Sequence, residues 1–244
     1  MAFTGQTDEG RTITFTDGKR YLYFFSVFLP MVPTGETMLP QLLKTQGYRT
    51  LMIGKWHLGE TAATRPEARG FDEYLGFLAG AERFLPSSDP NVVEARQDFD
   101  PIDKFLWANA PFAVVNNNRP GRSAPSQYMT DYFSDEAVKA IDANKNRPFF
   151  LYLAYNAPHT PLQALKSDYD ALSGIENHRL RVYAAMIKAL DRGVGSVLNA
   201  VKAAGIDGEQ AKPLWPSLVE FPYTVDRPMD TPAVEGEEYV YWPN

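Results

Sequence analysis

The stretch GYRTLMIGKWHLG, residues 47–59, decides the fold that we expect for this chain. Its apolar run, residues 50–53, shows no polar alternation and is typical of a strand that is covered on both faces. Gly54 breaks the run, and Lys55 and His57 follow at once. A buried strand that ends in this way indicates the carboxyl edge of a parallel sheet, where ligands bind in α/β proteins. Lys55 and His57 are two residues apart, so in extended backbone they would point to one side and could hold sulfate or phosphate.

A longer segment around this stretch resembles a known family. Residues 47–59 continue as RPEARGFDEYLGFLAG, residues 65–80, and together they resemble the second signature of the sulfatase family, in the alkaline-phosphatase superfamily. In that family a polar residue near the end of the signature often contacts substrate. Here this place falls on Gly80, which offers backbone alone. Without the resemblance, a lysine and a histidine that follow a strand are more often ordinary loop residues.

Composition excludes several classes of protein. The chain has 244 residues, of which 44% are apolar and 22% charged, which is ordinary for one large globular domain or two small ones. A net charge of -6 and a pI near 5.2 argue against a general nucleic-acid binder, which normally carries a basic stripe. There is no cysteine, which excludes a disulfide, a thiol nucleophile and a thiolate ligand.

The sequence does not predict a membrane span, because no apolar run reaches the necessary length. Residues 21–32, after Lys19 and Arg20, are compatible with a weak signal-peptide core, but the run starts late and contains two tyrosines. We therefore favour a strand or a buried loop there. The compartment stays open, although sulfatases are often periplasmic or secreted.

Periodicity predicts an α/β fold with a mainly parallel sheet that is flanked by helices. The resemblance to sulfatases implies that this sheet is incomplete at one side. We expect this fold in a domain of residues 1–208, followed by a small β-rich segment of residues 209–244. The predicted elements are a hairpin at 12–25 that turns at Asp17-Gly18, helices at 35–46, 126–144 and 177–204, and a second buried strand at 149–153. Most of residues 60–80 and 81–125 is expected to be loop.

Three details of the helices are predicted as well. Thr37 is expected to cap the first helix, and Ser134 to start a second helix within residues 126–144. The longest helix, 177–204, is expected to bury one apolar face. That face consists of Tyr183, Met186, Ile187, Leu190, Val194, Val197, Leu198 and Val201.

A second candidate site residue follows the second predicted strand. His159 lies between Pro158 and Pro161, and prolines can fix the backbone around a side chain before a ligand arrives. A histidine in a proline-rich loop is also compatible with a plain surface residue. The segment RPFFLYLAYNAPHTPLQA, residues 147–164, resembles the sulfatase segment that bears the second substrate-contacting histidine. The resemblance implies that Lys55 and His159 contact sulfate oxygens and that His57 serves the formylglycine nucleophile.

Other parts of the sulfatase pattern are not recognisable in this sequence. It contains no C/S-x-P-S-R motif for formylglycine, no amino-terminal strand with paired metal aspartates and no Asp-Asn-Gly metal loop. The family resemblance implies calcium, held by carboxylates and an amide, but its ligands cannot be assigned here. The resemblance covers residues 36–80 and 126–244.

The resemblance implies hydrolysis of aryl or sugar sulfate esters, weak or absent in this chain because nucleophile and metal ligands are missing. A non-catalytic remnant that binds anions or glycans is an alternative, as is a phosphoester hydrolase of the same superfamily. The implied partner is a sulfated small molecule or glycan. An open edge of the incomplete sheet could also support self-association.

Overall fold

The computed structural model describes residues 3–6, 12–15, 32–117 and 119–206. Its strands are β1 Phe3–Gln6, β2 Thr12–Phe15, β3 Arg49–Lys55, β4 Glu73–Phe77, β5 Val92–Ala95, β6 Val114–Asn116, β7 Arg119–Ser123, β8 Phe149–Ala154 and β9 Leu162–Leu165. Its helices are α1 Leu39–Thr45, α2 Pro101–Asn109, α3 Met129–Asn144, α4 Lys166–Asp170 and α5 His178–Ala203, with a 3₁₀ helix at Pro66–Arg69. The predicted segment 209–244 and the signal-peptide alternative at 21–31 lie outside the described residues.

A five-stranded sheet forms the centre of the fold, in the order β7-β6-β4-β3-β8. Strand β3 runs parallel to both β4 and β8, whereas β6 and β7 pair antiparallel. Leu51, Met52 and Ile53 of β3 are almost fully buried, because this strand has a partner on each side and is covered on both faces. The predicted α/β class with flanking helices is confirmed, and the sheet is mixed.

The two faces of the sheet are covered in different ways. On one face, α3 and α5 pack with side chains that include Phe133 and Met186, and both are completely buried. On the other face, the chain that follows β3 returns over the sheet and packs Trp56, Phe71 and Tyr74 against Met52. Burying one such large apolar side chain stabilises the fold by about 1.5–3 kcal/mol. Because side chains pack on both faces, the position of β3 in the core is fixed.

The loop predictions for residues 60–80 and 81–125 were wrong in part. Strand β4 lies within the first range, and β5, α2, β6 and β7 lie within the second. These strands have three to five residues each, too few for a clear period in the sequence, and pairing with their neighbours decides them. Asp100 caps α2 by accepting a hydrogen bond from the backbone N–H of Ile102 at 2.8 Å.

The predicted starts of two helices also need correction. Helix α3 is continuous through Ser134, whose hydroxyl lies 2.8 Å from the carbonyl oxygen of Thr130, its hydrogen-bond acceptor within the helix. Helix α1 begins at Leu39, one residue after Met38 rather than after Thr37. Its first turn is closed by a hydrogen bond from the backbone N–H of Met38 to Gln41 Oε1 at 2.8 Å.

Helix α5 buries a different face from the one predicted. Its fully buried residues are Val182, Ala185, Met186, Ala189 and Gly193, most of them small. A Cβ on Gly193 would overlap the hydroxyl of Ser134 and lie 3.1 Å from that of Tyr155, so small residues let α5 approach α3 closely. Of the predicted face, Met186 is fully buried and Leu190 and Val197 pack partly buried against the core, whereas four side chains are exposed: Tyr183, Ile187, Val194 and Leu198.

Two remaining features concern the ends of the chain and the membrane. Strand β2 pairs antiparallel with β1, whereas the second arm of the predicted hairpin lies outside the described residues. In the described part of the chain, none of the helices combines the length and apolar character that a membrane crossing requires.

Candidate functional site

The ends of β3 and β8 emerge side by side at one edge of the sheet. Gly54, next to the last residue of β3, is paired in register with Ala154, the last residue of β8. Lys55 ends β3, and His159 lies in the loop that follows β8. Gly54 has φ +113°, and a Cβ there would overlap the carbonyl oxygen of Ala154. Glycine therefore allows the two backbones to approach where Lys55 leaves the sheet.

The backbone after Lys55 stays attached to the end of β4. The N–H of Trp56 donates to the carbonyl of Phe77 at 3.0 Å, and that of His57 donates to the carbonyl of Leu78 at 3.1 Å. His57 has φ +53°, in the left-handed region. The extended backbone that we assumed for residues 55–57 is therefore wrong, and alternation does not place the two side chains.

Gly80 determines where the imidazole of His57 lies. A Cβ on Gly80 would lie 2.7 Å from Nε2 and 2.8 Å from Cε1 of His57, which is closer than real Cβ contacts. The missing side chain thus makes room for the ring. Gly80 contributes space as well as backbone, and the sequence alone does not reveal this.

His159 is held by its own loop. Its backbone N–H donates to the carbonyl of Asn156 at 2.9 Å, and its Nδ1 donates to the carbonyl of Thr160 at 2.6 Å. This hydrogen bond leaves Nε2 as the ring nitrogen that turns away from Thr160. The side chain of the buried Asn156 donates to the carbonyl of Glu82 at 2.8 Å, which ties the loop to the segment after β4. The imidazole of His159 is itself exposed.

Electrostatics connects Lys55 with His159. Burial lowers the pKa of the Lys55 ammonium. The pKa of His159 is lowered as well, first by desolvation, because the loop around the ring excludes part of the water even though the residue as a whole is exposed, and second by the positive charge of Lys55. Two cationic groups from separate strands thus lie close enough to repel each other, and an anion between them would relieve this repulsion.

Asn156 and Glu82 are buried polar residues that the sequence analysis missed. Glu82 is 1% exposed, and burial raises the pKa of its carboxyl to about 8. At neutral pH the carboxyl is therefore mostly protonated and adds little negative charge to the segment after Gly80. A glutamate in a loop-like sequence carries no signal of burial, so the sequence could not identify it.

The third histidine takes no part in this site. His178, at the start of α5, makes hydrogen bonds through Nδ1 with the hydroxyl of Tyr169 at 3.0 Å and through Nε2 with the carbonyl of Glu94 at 2.8 Å. It is exposed, and these bonds join α5 to α4 and β5. In the described structure His178 therefore has a structural role.

The described residues contain no group of three or more His, Asp and Glu side chains that could hold a metal ion. Lys55 and the nitrogen donors of the two histidines suit an anion rather than a metal cation. The residues described here therefore do not fit the calcium ion that the resemblance implies. We assign no chemical step to a metal.

Several known proteins are similar to this chain in sequence. Residues 2–209 match the family model described as Sulfatase. The chain is 32% identical over 179 residues to arylsulfatase J of Mus musculus, covering 71% of this chain and 27% of that protein. It is 29% identical over 201 residues to the uncharacterized sulfatase YdeN of Escherichia coli (strain K12), covering 71% of this chain and 31% of the relative.

Among solved structures, the chain is similar to Ps i-CgsB in complex with k-i-k-neocarrahexaose. The two are 38% identical with a TM-score of 0.58, over 72% of this chain and 38% of that one. The chain belongs to the sulfatase family, whose members generally bind a metal. It spans about 30% of the length of the curated relatives that it matches.

Proposed function

We propose that this chain forms the anion-binding part of a sulfatase site and binds the sulfate group of an aryl or sugar sulfate ester. Hydrolysis of that ester is the reaction that we assign to the family site as a whole. The observation that carries the proposal is the register pairing of Gly54 with Ala154, which brings the exits of β3 and β8, and with them Lys55 and the loop of His159, to one edge of the sheet. Two positive donors that converge at the carboxyl edge of a sheet suit a tetrahedral oxyanion.

In this proposal each residue has a separate role. Lys55 donates to sulfate oxygens from the end of β3, and its partial burial strengthens the interaction, because a partly buried charge is less screened by water. His159 donates to a second oxygen through Nε2 once its ring is protonated. By the family resemblance, His57, whose ring lies against Gly80, would serve the nucleophile. We assign no nucleophile to this chain, since the C/S-x-P-S-R motif is not in its sequence.

The comparisons support a sulfated glycan as the substrate class. The related structure that is 38% identical to this chain is a complex with a neocarrahexaose. We infer a sulfated sugar for this chain by similarity, with a small aryl sulfate as the simplest test substrate.

Two other functions have some support. A module that binds sulfate or a glycan without catalysis is favoured by the missing nucleophile motif and by the missing cluster of metal ligands among the described residues. A phosphoester hydrolase would need the same anion site. The GKWHLG and PHTP segments favour the sulfatase hypothesis over the phosphoester one.

Anion binding can be tested directly because the chain has three histidines. We expect sulfate to shift the imidazole NMR signals of His57 and His159 and to leave that of His178 unchanged. Calorimetric titration with sulfate and with phosphate would compare the two anions. Absence of sulfate binding at both pH 7.5 and pH 5.5, or a shift confined to His178, would contradict the proposal.

Turnover of an aryl sulfate, with and without added calcium, separates catalysis from binding. We expect sulfate to bind while turnover stays at or near the uncatalysed rate, since losing principal catalytic groups costs several orders of magnitude. Calcium-dependent turnover would show that the chain supplies a nucleophile that we have not recognised.

A further inference from the structure

The loop of His159 extends beyond the last pair of the ladder between β3 and β8. That ladder ends where Gly54 pairs with Ala154, and His159 comes later, within the loop that follows. Strand pairing alone therefore does not determine where the imidazole of His159 lies. A side chain that connects this loop with the segment beside Lys55 would be able to determine it.

Asn156 makes this connection. Its side-chain amide donates to the carbonyl of Glu82 at 2.8 Å, and its own backbone carbonyl accepts a hydrogen bond from the N–H of His159 at 2.9 Å. Glu82 belongs to the segment that follows β4. The last residue of β4, Phe77, is paired in register with Lys55. Asn156 thus joins the loop that carries His159 to the segment that continues from the strand beside Lys55.

The surroundings of the Asn156 side chain differ from those of a second buried asparagine, Asn144. Both residues are 3% exposed. The amide of Asn144 is fully paired, because its Nδ2 donates to the carbonyl of Ala140 and its Oδ1 accepts from Arg147. The Oδ1 of Asn156 has no hydrogen-bond partner among the described residues. A buried acceptor without a partner lowers stability, and an apolar side chain would avoid this cost. The difference therefore favours a role of Asn156 in the site over a role in stability alone.

We propose that Asn156 is a positioning residue of the anion site, whose side-chain amide holds the loop of His159 near Lys55. This inference rests on the function proposed above, because it concerns the same site. The hydrogen bond to Glu82 fixes the start of the loop, and the position of the loop sets how far the imidazole lies from the ammonium of Lys55. Without the amide, the loop moves further into solvent, and the two donors no longer converge on one anion.

The substitution Asn156→Ala tests the proposal in the full chain, through the ring of His159 and through sulfate. In the wild type, desolvation and the charge of Lys55 lower the pKa of His159 below its ordinary value of 6.5. If the loop moves away, both causes weaken and this pKa should rise towards 6.5, which NMR titration of the imidazole measures. We expect sulfate binding, measured by calorimetric titration, to weaken by about three- to tenfold.

Asn144→Ala is the matched control. Both substitutions remove a buried amide that donates to a backbone carbonyl, at 2.7 Å for Asn144 and 2.8 Å for Asn156. Asn144 ends α3 before β8 begins, whereas His159 follows the other end of that six-residue strand. The control should therefore leave sulfate affinity and the pKa of His159 unchanged. Asn156→Ser, whose hydroxyl is too short to reach the Glu82 carbonyl, should behave like Asn156→Ala and replaces it if the alanine variant does not fold.

Three results would contradict one proposal or the other. If the wild type binds sulfate and the Asn156 variant binds it with the same affinity, the positioning role is wrong and the proposed function stands. If the Asn156 and Asn144 variants weaken sulfate binding equally, the effect is a general loss of stability, and the positioning role is again wrong. If the wild type binds no sulfate at pH 7.5 or 5.5, the proposed function fails and this inference fails with it.

Discussion

The two loops that meet at the candidate site are built in opposite ways. The loop after β3 is fixed by its neighbours, because Trp56 is buried and the ring of His57 lies against Gly80. The loop after β8 is fixed mainly from within, through hydrogen bonds of His159 to Asn156 and Thr160. One half of the site is thus set by tertiary packing, and the other half by local contacts that leave the imidazole exposed.

Because of this difference, substitutions in the two loops should have different effects on stability and on anion binding. Changes at the β3 exit should alter stability and anion binding together, because the same residues pack the sheet and position the donors. Changes at the β8 exit should alter binding and its pH dependence with little effect on stability. The following predictions test this division.

The largest effect is expected at Gly54. Gly54→Ala places a Cβ into the carbonyl of Ala154 and demands φ +113° of a residue with a side chain, so the unfolding free energy should fall by about 3 kcal/mol or more. Urea denaturation followed by circular dichroism measures it. Gly174→Ala is the control, since no atom lies within 4 Å of its added Cβ. Equal stability of the two variants would show that β3 and β8 do not meet as described.

Lys55→Met should separate stability from binding. Burial lowers the pKa of Lys55 below its ordinary value of 10.5, so the unfolded chain binds that proton more tightly and wild-type stability rises with pH between the two pKa values. Removing the charge should raise the unfolding free energy by about 1 kcal/mol and weaken sulfate binding at least about tenfold. Calorimetric titration and urea denaturation measure the two effects.

The control for that variant is Lys139→Met, at a lysine whose side chain is 70% exposed. It should leave sulfate affinity unchanged, because Lys139 lies on α3 and forms an ion pair with Glu136 at 2.7 Å. If Lys55→Met kept wild-type sulfate affinity, Lys55 would not belong to the anion site.

Gly80→Ala should displace the imidazole of His57, because the new methyl group would lie within 2.8 Å of two ring atoms. We expect sulfate binding to weaken by about three- to tenfold, a cost of about 1 kcal/mol, with the circular dichroism spectrum unchanged. The NMR signal of His57 should move, while that of His159 should stay. An unmoved His57 signal would mean that Gly80 does not hold the ring in place.

The smallest effect concerns pH. The protonated imidazole of His159 is the form that binds an anion, and its pKa in the free protein is lowered. Sulfate affinity should therefore increase as pH falls through a value below the ordinary 6.5, by a few-fold between pH 7.5 and 5.5. Bound sulfate should in turn raise the pKa of His159. Calorimetric titration at several pH values measures the trend.

Two substitutions identify the histidine that causes the pH dependence of sulfate affinity. His159→Gln should flatten the pH dependence, whereas His178→Gln should preserve it, because the hydrogen bonds of His178 place it outside the site. A pH dependence that persisted unchanged in His159→Gln would move the titrating group to His57.

Much of the site could be predicted from the sequence. The buried strand at residues 49–55, its glycine and the lysine that follows can be recognised because a strand covered on both faces needs an unbroken apolar run. Parallel strands end at the same edge of a sheet, so two predicted parallel strands at 50–53 and 149–153 also place the loop of His159 at the edge of Lys55. The predicted backbone conformation of residues 55–57 was wrong. It was assumed to be extended, whereas His57 is in the left-handed region.

Helix α5 shows the same limit on a larger scale. Its length and its amphipathic repeat could be recognised, but this helix has two apolar stripes, and the sequence does not rank them. Close packing on α3 at Gly193 selected the stripe of small residues, because helices can approach there without overlap. The stripe of larger side chains, which includes Ile187 and Leu198, is exposed.

The sequence by itself determined the α/β class, the central strand and the family, because these depend on local apolar runs and short motifs. It also nominated Lys55, His57 and His159 as site residues, which stays a prediction. Only the tertiary structure decided that Gly80 makes room for the ring of His57, that Glu82 is buried and that Lys55 lowers the pKa of His159. Those facts depend on distances between segments that are far apart in the chain, and no local pattern encodes them.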